Sequence, residues 1–224
     1  MTRAIVIAVD GTAASGKGTL AKRLAKHFGF AHLDSGSLYR LTALGVLEAG
    51  RSPQDETHAV DAALAIDPLR AADPAIRTDA VAQAASIVAA FPAVRAALLD
   101  FQRRFAANPP GNGDGAVIDG RDIGTVVCPD ATAKVFVDAA PETRARRRFL
   151  ELRASGMAAD EAAVLADILA RDKRDRERKV APLKPAPDAD LLDTTLLDID
   201  AAFARALALV SPRVEEALKA RHRG

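Results

Sequence analysis

The chain has 224 residues, 49% of them hydrophobic, with 31 Lys and Arg against 30 Asp and Glu for a formal net charge of +1. That length suits one domain, or one core carrying small inserted lobes, and so even a balance excludes a global electrostatic pull toward nucleic acid or a membrane surface. Aromatics are only 4%, with no Trp and a single Tyr, which excludes a base-stacking platform for single strands, and the longest uncharged stretch, from Ala80 to Val94, is too short and too broken by Gln83, Ser86 and Pro92 to span a bilayer.

Met1-Thr2-Arg3 leads straight into an apolar run with no signal-peptide pattern, and the lone cysteine, Cys128, has no partner for an internal disulfide. Both features point to a reducing cytoplasm. Ala4-Ile5-Val6-Ile7-Ala8-Val9 reads as a strand buried on both faces, as in parallel sheets. A Gly-rich turn follows. Leu20, Leu24 and Phe28 then recur at helical spacing, with Lys22, Arg23 and Lys26 outward and Gly29 as the C-cap. A second strand is expected to end near Asp34.

From about residue 36 to 100, Ala-rich helices flank a break at Asp67-Pro68 and Asp73-Pro74. The stretch from Asn108 to Gly115 is a turn or loop. Ala116-Val117-Ile118 ends in Asp119, and Lys134-Val135-Phe136-Val137 ends in Asp138; both read as core strands. A charge-dominated helical region, about 141–178, is ended by Pro182, Pro185 and Pro187. Leu191-Leu192-Asp193-Thr194 precedes a final helix carrying Phe203, Leu207 and Val210. Strand, loop and helix repeat through the chain, so the expected fold is α/β, a parallel sheet flanked by helices with two helical insertions. The core is drawn at 1–35, 91–140 and 189–224, with insertions at about 36–90 and 141–188.

The segment that sets the chemistry is Gly11-Thr12-Ala13-Ala14-Ser15-Gly16-Lys17-Gly18-Thr19, lying between the first strand and the first helix. Gly, four residues, Gly-Lys in that setting is a phosphate-binding loop (P-loop). Its glycines permit positive φ and close backbone approach. Its amides and the following helix dipole face the anion, and Lys17 reaches the β- and γ-phosphates. The position after the lysine, commonly a Ser or Thr that ligates Mg²⁺, is here Gly18, with Thr19 next. A guanine reader is absent: Asp172-Lys173-Arg174-Asp175 begins with the wrong residue and sits in a helical run.

Arginines cluster where two phosphate chains would need them. Asp34-Ser35-Gly36-Ser37-Leu38-Tyr39-Arg40 sits where the second strand meets the next helix, and Gly120-Arg121-Asp122 follows the strand ending in Asp119. Arg144, Arg147 and Arg148 fall at spacings of three and four, as do Arg171, Arg174, Asp175 and Arg178. The plainer reading of the helical clusters is a solvated face laced with ion pairs. Phosphoryl transfer, however, needs positioning, water exclusion and positive charge on equatorial oxygens, and arginines supply these. The four histidines, His27, His32, His58 and His222, form no ligand-spaced set, so no zinc site is expected, and Cys128 is expected to be a buried, inert thiol.

At these residues the sequence resembles bacterial cytidylate kinases, a branch of the nucleoside monophosphate (NMP) kinases with a P-loop. The match spans nearly the whole chain. It is carried by the Gly11–Thr19 loop, Leu33-Asp34-Ser35-Gly36 through Tyr39-Arg40, Ile76-Arg77-Thr78, Ala84-Ala85-Ser86, and Ala89-Ala90-Phe91-Pro92 to Arg95. Further support comes from Asp119-Gly-Arg-Asp-Ile-Gly-Thr-Val-Val, Arg171-Asp172-Lys173-Arg174-Asp175-Arg176 and Val180-Ala181-Pro182-Leu183. The Thr-Gly-Asp-x-x-Arg and Asp-Gly-Phe-Pro-Arg segments expected of an adenylate kinase are missing.

The resemblance implies transfer of the γ-phosphoryl of Mg-ATP to CMP or dCMP, with an NMP-binding insertion at about 36–90 and a lid at about 141–188. It places the ATP phosphates on Gly11 through Thr19, with Arg147 and Arg148 also on the ATP side, and gives Lys17, Arg121 and Arg171 to the transfer itself. Ser35, Arg40, Arg95, Arg121 and Arg171 would meet the acceptor's phosphate or sugar. Ser86, Arg95 and Asp122 fall where the family reads cytosine, and Asp175 and Arg178 where it holds the ribose. Asp119 is the candidate to hold Mg²⁺ through water, with Asp138 and Asp34 as rivals. A cytoplasmic monomer acting on ATP and CMP or dCMP, without nucleic acid or membrane, is the expectation. Other NMP or small-metabolite kinases of this fold, and a non-catalytic nucleotide switch, are the alternatives. Bacterial members carry a small antiparallel sheet in the acceptor insertion. Here 26 residues separate Gly50 from Arg77 with no alternating strand pair among them, so a shortened or rebuilt insertion is expected.

Overall fold

A computed structural model describes residues 4–111, 114–221 and 223; residues 1–3 and His222 lie outside the described set. Five strands, β1 (Ile5–Gly11), β2 (Ala31–Asp34), β3 (Gly115–Gly120), β4 (Ala133–Asp138) and β5 (Asp190–Asp193), form one sheet in the order β2-β3-β1-β4-β5. Every neighbouring pair is parallel. Among the described residues the α-helices are α1 (Lys17–Phe28), α2 (Ser35–Glu48), α3 (Glu56–Leu64), α4 (Asp79–Val88), α5 (Pro92–Ala107), α6 (Pro141–Ala154), α7 (Glu161–Glu177) and α8 (Ile199–Arg221).

The unbroken apolar run of β1 is explained by cover on both faces. Ile5, Ile7 and Val9 join Val117, Val135 and Val137 against Leu20 and Leu24 of α1 and Ala206, Val210 and Val214 of α8. Val6 and Ala8 join Ala116 and Ile118 on the other side, under Ala106 of α5 and a turn carrying Ile123, Val127 and Cys128. Helix α1 ends as expected: Gly29 takes φ 68° and returns its N–H to the Ala25 carbonyl.

Strand β1 runs two residues past Val9, because Gly11 pairs with Val137 of β4. The approach is close. A Cβ placed on Gly11 would lie 2.0 Å from the Val137 carbonyl oxygen, which is backbone and has no room to yield. Gly11→Ala is therefore expected to lower unfolding free energy by about 1–3 kcal/mol, the range for overpacking that forces backbone shifts. Urea denaturation checks this, and an unchanged midpoint would show that the strand edge gives way freely.

The segment from α2 to α4 builds a second core, where Leu38, Leu41, Val46, Ile76 and Val88 meet Val94 and Leu98 of α5. The two Asp-Pro breaks are N-capped single turns. Asp67 accepts from the Leu69 amide at 3.0 Å and Asp73 from Ala75 at 2.9 Å, each with Pro at the first position. All of 36–90 is described, and none of it is strand. No single helix among the described residues is long and apolar enough to cross a membrane; the apolar α4 and α5 are bent by 100° at their junction.

The C-terminal ends of β2 and β3 and the loop that follows β1 line one cleft. Ligands of open α/β sheets bind at that edge.

Candidate active site

The phosphate loop leaves β1 at Gly11 and enters α1 at Lys17. Ala14 at φ 58° and Gly16 at φ 87° make the left-handed turns that bend its amides inward. The loop is held from below. Buried Thr12 donates its hydroxyl to Asp138 Oδ1 at 2.7 Å, and Ser15 donates to the Thr12 carbonyl at 3.0 Å. Arg144, 1% exposed, donates to the Ala13 carbonyl at 3.0 Å, to the Ala139 carbonyl at 2.8 Å and to Asp172 of α7 at 2.6 Å.

Lys17 folds back onto the loop, its Nζ 3.3 Å from the Thr12 carbonyl. Burial, followed by the Arg121 charge, pushes its ammonium down to about 7. An arriving triphosphate would favour the charged form, so binding should take up a proton wherever the free lysine is partly neutral. ATP affinity is expected to fall as pH rises above about 7, with proton uptake measurable by calorimetry in buffers of different ionisation enthalpy. Lys17→Met should abolish that uptake; persistent uptake in that variant would assign the proton elsewhere.

Across the cleft stands the second cationic group. Arg121 follows β3 and donates to Asp175 Oδ2 at 2.9 Å. Burial opposes ionisation of Asp175, but Arg121, Arg171 and Arg178 together outweigh it and hold the carboxyl below its ordinary range. Burial first, then Arg121, pushes Arg171 down, and its Nε is buried with no hydrogen-bond partner. Arg40 donates to the Ile76 carbonyl at 2.9 Å, and burial lowers it as well. Like charges gathered this closely, with an unsatisfied donor among them, form a site built for an anion.

Beyond that cluster lies a polar pocket. Asp122 and Arg95 form a buried ion pair, with Arg178 Nη2 3.9 Å from the other Asp122 oxygen. Arg95 lies over the Tyr39 ring, 5.5 Å from its centroid. Ser86 is buried and its hydroxyl has no partner. One cleft thus runs from an anion loop through a guanidinium cluster to a group of one carboxylate, two guanidiniums and an unused hydroxyl.

Comparison with known proteins fits that layout. The family model described as Cytidylate kinase matches residues 7–211. The chain belongs to the cytidylate kinase family. A cytidylate kinase from Nitrobacter winogradskyi is 59% identical over 206 residues, covering 92% of this chain and 95% of that one. One from Bradyrhizobium diazoefficiens is 56% identical with the same coverage of each. Among solved structures, an uncharacterized protein from Eubacterium ventriosum matches with TM-score 0.53 at 16% identity, over 92% of this chain and 98% of that one. A gluconokinase from Sinorhizobium meliloti matches with TM-score 0.50 at 14% identity, over 99% of each. These two share the fold.

Within this cytidylate kinase scaffold most of the sequence-derived residues line the same cleft: Gly16 to Thr19, Ser35, Arg40, Ser86, Arg95, Asp119, Arg121, Asp122, Arg148, Arg171, Asp175 and Arg178. Ser35 donates to the Asp119 carbonyl at 2.7 Å, tying the start of α2 to the end of β3. Arg147 is placed elsewhere. It donates to Thr194 and to the Leu197 carbonyl, so its guanidinium secures the segment before α8 rather than facing the cleft. Arg148 pairs with Asp79 of α4 at 2.7 Å and Glu151 at 3.1 Å, bridging two helical segments over the cleft.

The three carboxylate candidates also separate. Asp138 uses Oδ1 for Thr12 and its own following amide and does not line the cleft, whereas Asp34 lines it and uses Oδ1 to cap α2 through the Ser37 amide. Asp119 keeps Oδ2 facing Gly18, 3.6 Å from where a Cβ on that glycine would lie.

Two residues outside the sequence-derived set also shape the site. Asp10, at the end of β1, accepts from the amides of Ile123 and Gly124 at 2.8 and 2.7 Å, and so fixes the turn that follows Asp122. Burial raises its carboxyl to about 6 against those amides. An apolar strand closing in Asp was the available signal, the same one that marked Asp119 and Asp138. His32 on β2 reaches Asp119, and no local pattern marks it.

Proposed function

We propose that this chain transfers the γ-phosphoryl group of Mg-ATP to CMP or dCMP, giving ADP and CDP or dCDP. The observation that carries the reading is the order of groups along one cleft: phosphate loop, guanidinium cluster, then the Asp122, Arg95 and Ser86 pocket. ATP phosphates on the loop amides and Lys17 would face an acceptor phosphate held by Arg40, Arg121 and Arg171. Asp122 offers an acceptor to the cytosine amino group, while Ser86 and Arg95 offer donors to the ring N3 and O2. Asp175, bonded to Arg121, and Arg178, beside Asp122, would meet the ribose between the phosphate and base groups.

Little covalent work falls to the protein. The acceptor phosphate has its second pKa near ~6 and is already a nucleophile at neutral pH. The side chains align the two phosphates and place positive charge on the transferring oxygens. Hard carboxylate oxygens beside the loop suit Mg²⁺, which is commonly held by one or two carboxylates, waters and the nucleotide's own phosphates. Asp119 is the residue we assign to it, because its free oxygen faces the glycine that replaces the usual hydroxyl. When bound, the ion would neutralise charge on the β- and γ-oxygens.

In this reading 36–90 is the acceptor insertion and 141–188 the lid, both closing over substrates. We read the protein as a cytoplasmic monomer with neither nucleic acid nor membrane as partner.

The test is a panel of monophosphates with Mg-ATP, with diphosphate formation followed by chromatography. CMP and dCMP should be converted with the highest kcat/KM. Faster conversion of UMP or AMP would overturn the base assignment, and ATP binding without transfer to any monophosphate would leave a binding switch.

A further inference from the structure

His32 serves no part of the layout above, yet it touches the residue to which Mg²⁺ is assigned. Strands β2 and β3 run parallel with His32 opposite Val117 and Asp34 opposite Asp119. His32 is therefore diagonal to Asp119 on the same face of the sheet, a separation that a long side chain spans. Its Nε2 lies 2.8 Å from Asp119 Oδ1. Both side chains are largely shielded from water, at 19% and 5% exposure. An ionised carboxylate only accepts, so in this pair Nε2 donates.

The contact fixes which way the carboxylate points. With Oδ1 held by His32, Oδ2 is turned to Gly18. Gly18 supplies no hydroxyl, and Asp119 reaches toward the space that a side chain there would take. Lys17 is the competing partner, because the Asp119 charge already acts on it. A carboxylate released from His32 can swing toward that ammonium and be lost to the metal.

Resting on the assignment of Asp119 made above, we infer that His32 is a positioning residue that aims Asp119 at the metal–nucleotide complex and so sets how strongly Mg²⁺ promotes ATP binding. His32 lines the cleft, but the role inferred for it is exerted through Asp119 and not through contact with nucleotide or metal. Partners that orient a metal-holding group typically change metal affinity 10–100-fold when removed.

The experiment measures ATP binding by calorimetry in Mg²⁺ and in EDTA for the unaltered chain, His32→Leu, His32→Gln and Asp119→Asn. The quantity read is the ratio of the two Kd values. His32→Leu should shrink that ratio about 10-fold, with Kd in EDTA changed less than about two-fold. His32→Gln, which keeps a donor, should recover most of it. Asp119→Asn should shrink the ratio at least as far, and His32→Leu added to it should do nothing more.

An unchanged ratio in His32→Leu beside a collapsed ratio in Asp119→Asn would overturn the role of His32 and leave Asp119 in place. An unchanged ratio in Asp119→Asn would overturn the Asp119 assignment and the inference with it. Equal losses with and without Mg²⁺, unrescued by Gln, would show that His32 only holds the sheet together. If the Leu variant melts early, His32→Asn, too short to reach Asp119, makes the same comparison.

Discussion

Lys17→Ala is expected to cut turnover by about 10²–10³-fold or more while the protein stays folded. The size follows from losing one preorganised charge aimed at transferring phosphoryl oxygens in a water-poor site. The fold should survive because the side chain makes one hydrogen bond, to the Thr12 carbonyl, and packs into neither sheet core. The variant is expected to hold or gain stability: a half-buried lysine pushed down to about 7 is strained by the folded state, and alanine removes that strain. The melting temperature is therefore expected to hold or rise as activity collapses. Steady-state kinetics paired with a thermal melt checks both halves, and near-normal turnover would remove Lys17 from the transfer step.

Asp122→Asn is expected to change base preference more than overall competence. The carboxylate is buried against Arg95, with Arg178 nearby, so alanine would strand two guanidiniums and cost about 3–5 kcal/mol of stability. Asparagine keeps the shape and one acceptor oxygen, and adds an amide donor. A cytosine amino group loses its anionic acceptor, whereas the O4 of uracil gains a donor. kcat/KM for CMP and dCMP should fall about 10–100-fold relative to UMP, the scale of one good base contact. Equal loss across all bases would make Asp122 a structural member of the pair with Arg95.

Both predictions concern residues that the sequence singled out, and the reason is physical. The phosphate loop is contiguous, so one turn between one strand and one helix carries its whole geometry. Arg171, Arg174 and Asp175 lie on a single helix, with Arg178 its C-cap, and spacing alone puts them on a common face. The helix bearing Arg144, Arg147 and Arg148 shows where such reasoning ends. Spacing sets the side of the helix but not the neighbour at the end of a long, flexible arm. Arg144 turns in to Ala13 and Asp172, Arg147 to Thr194 and Leu197, and Arg148 to Asp79.

His32 was illegible for a related reason. Its partner lies 87 residues away, and only the register of two parallel strands brings them together. The π-helical turn at Ile123–Val127 likewise depends on Asp10 of another strand for its amide partners. The helical makeup of 36–90 could be read locally, because the Asp-Pro caps and the lack of alternation are properties of the segment itself.

Thr194 has a consequence for how this protein comes into being. Its hydroxyl donates to the Ser15 carbonyl, 179 positions earlier, and its amide to Asp138. The stretch that grips phosphate is synthesised long before this brace, which follows it by 179 positions. A nascent chain halted before that threonine carries the signature motif without this support, so nucleotide capture should mature only after Thr194 has emerged.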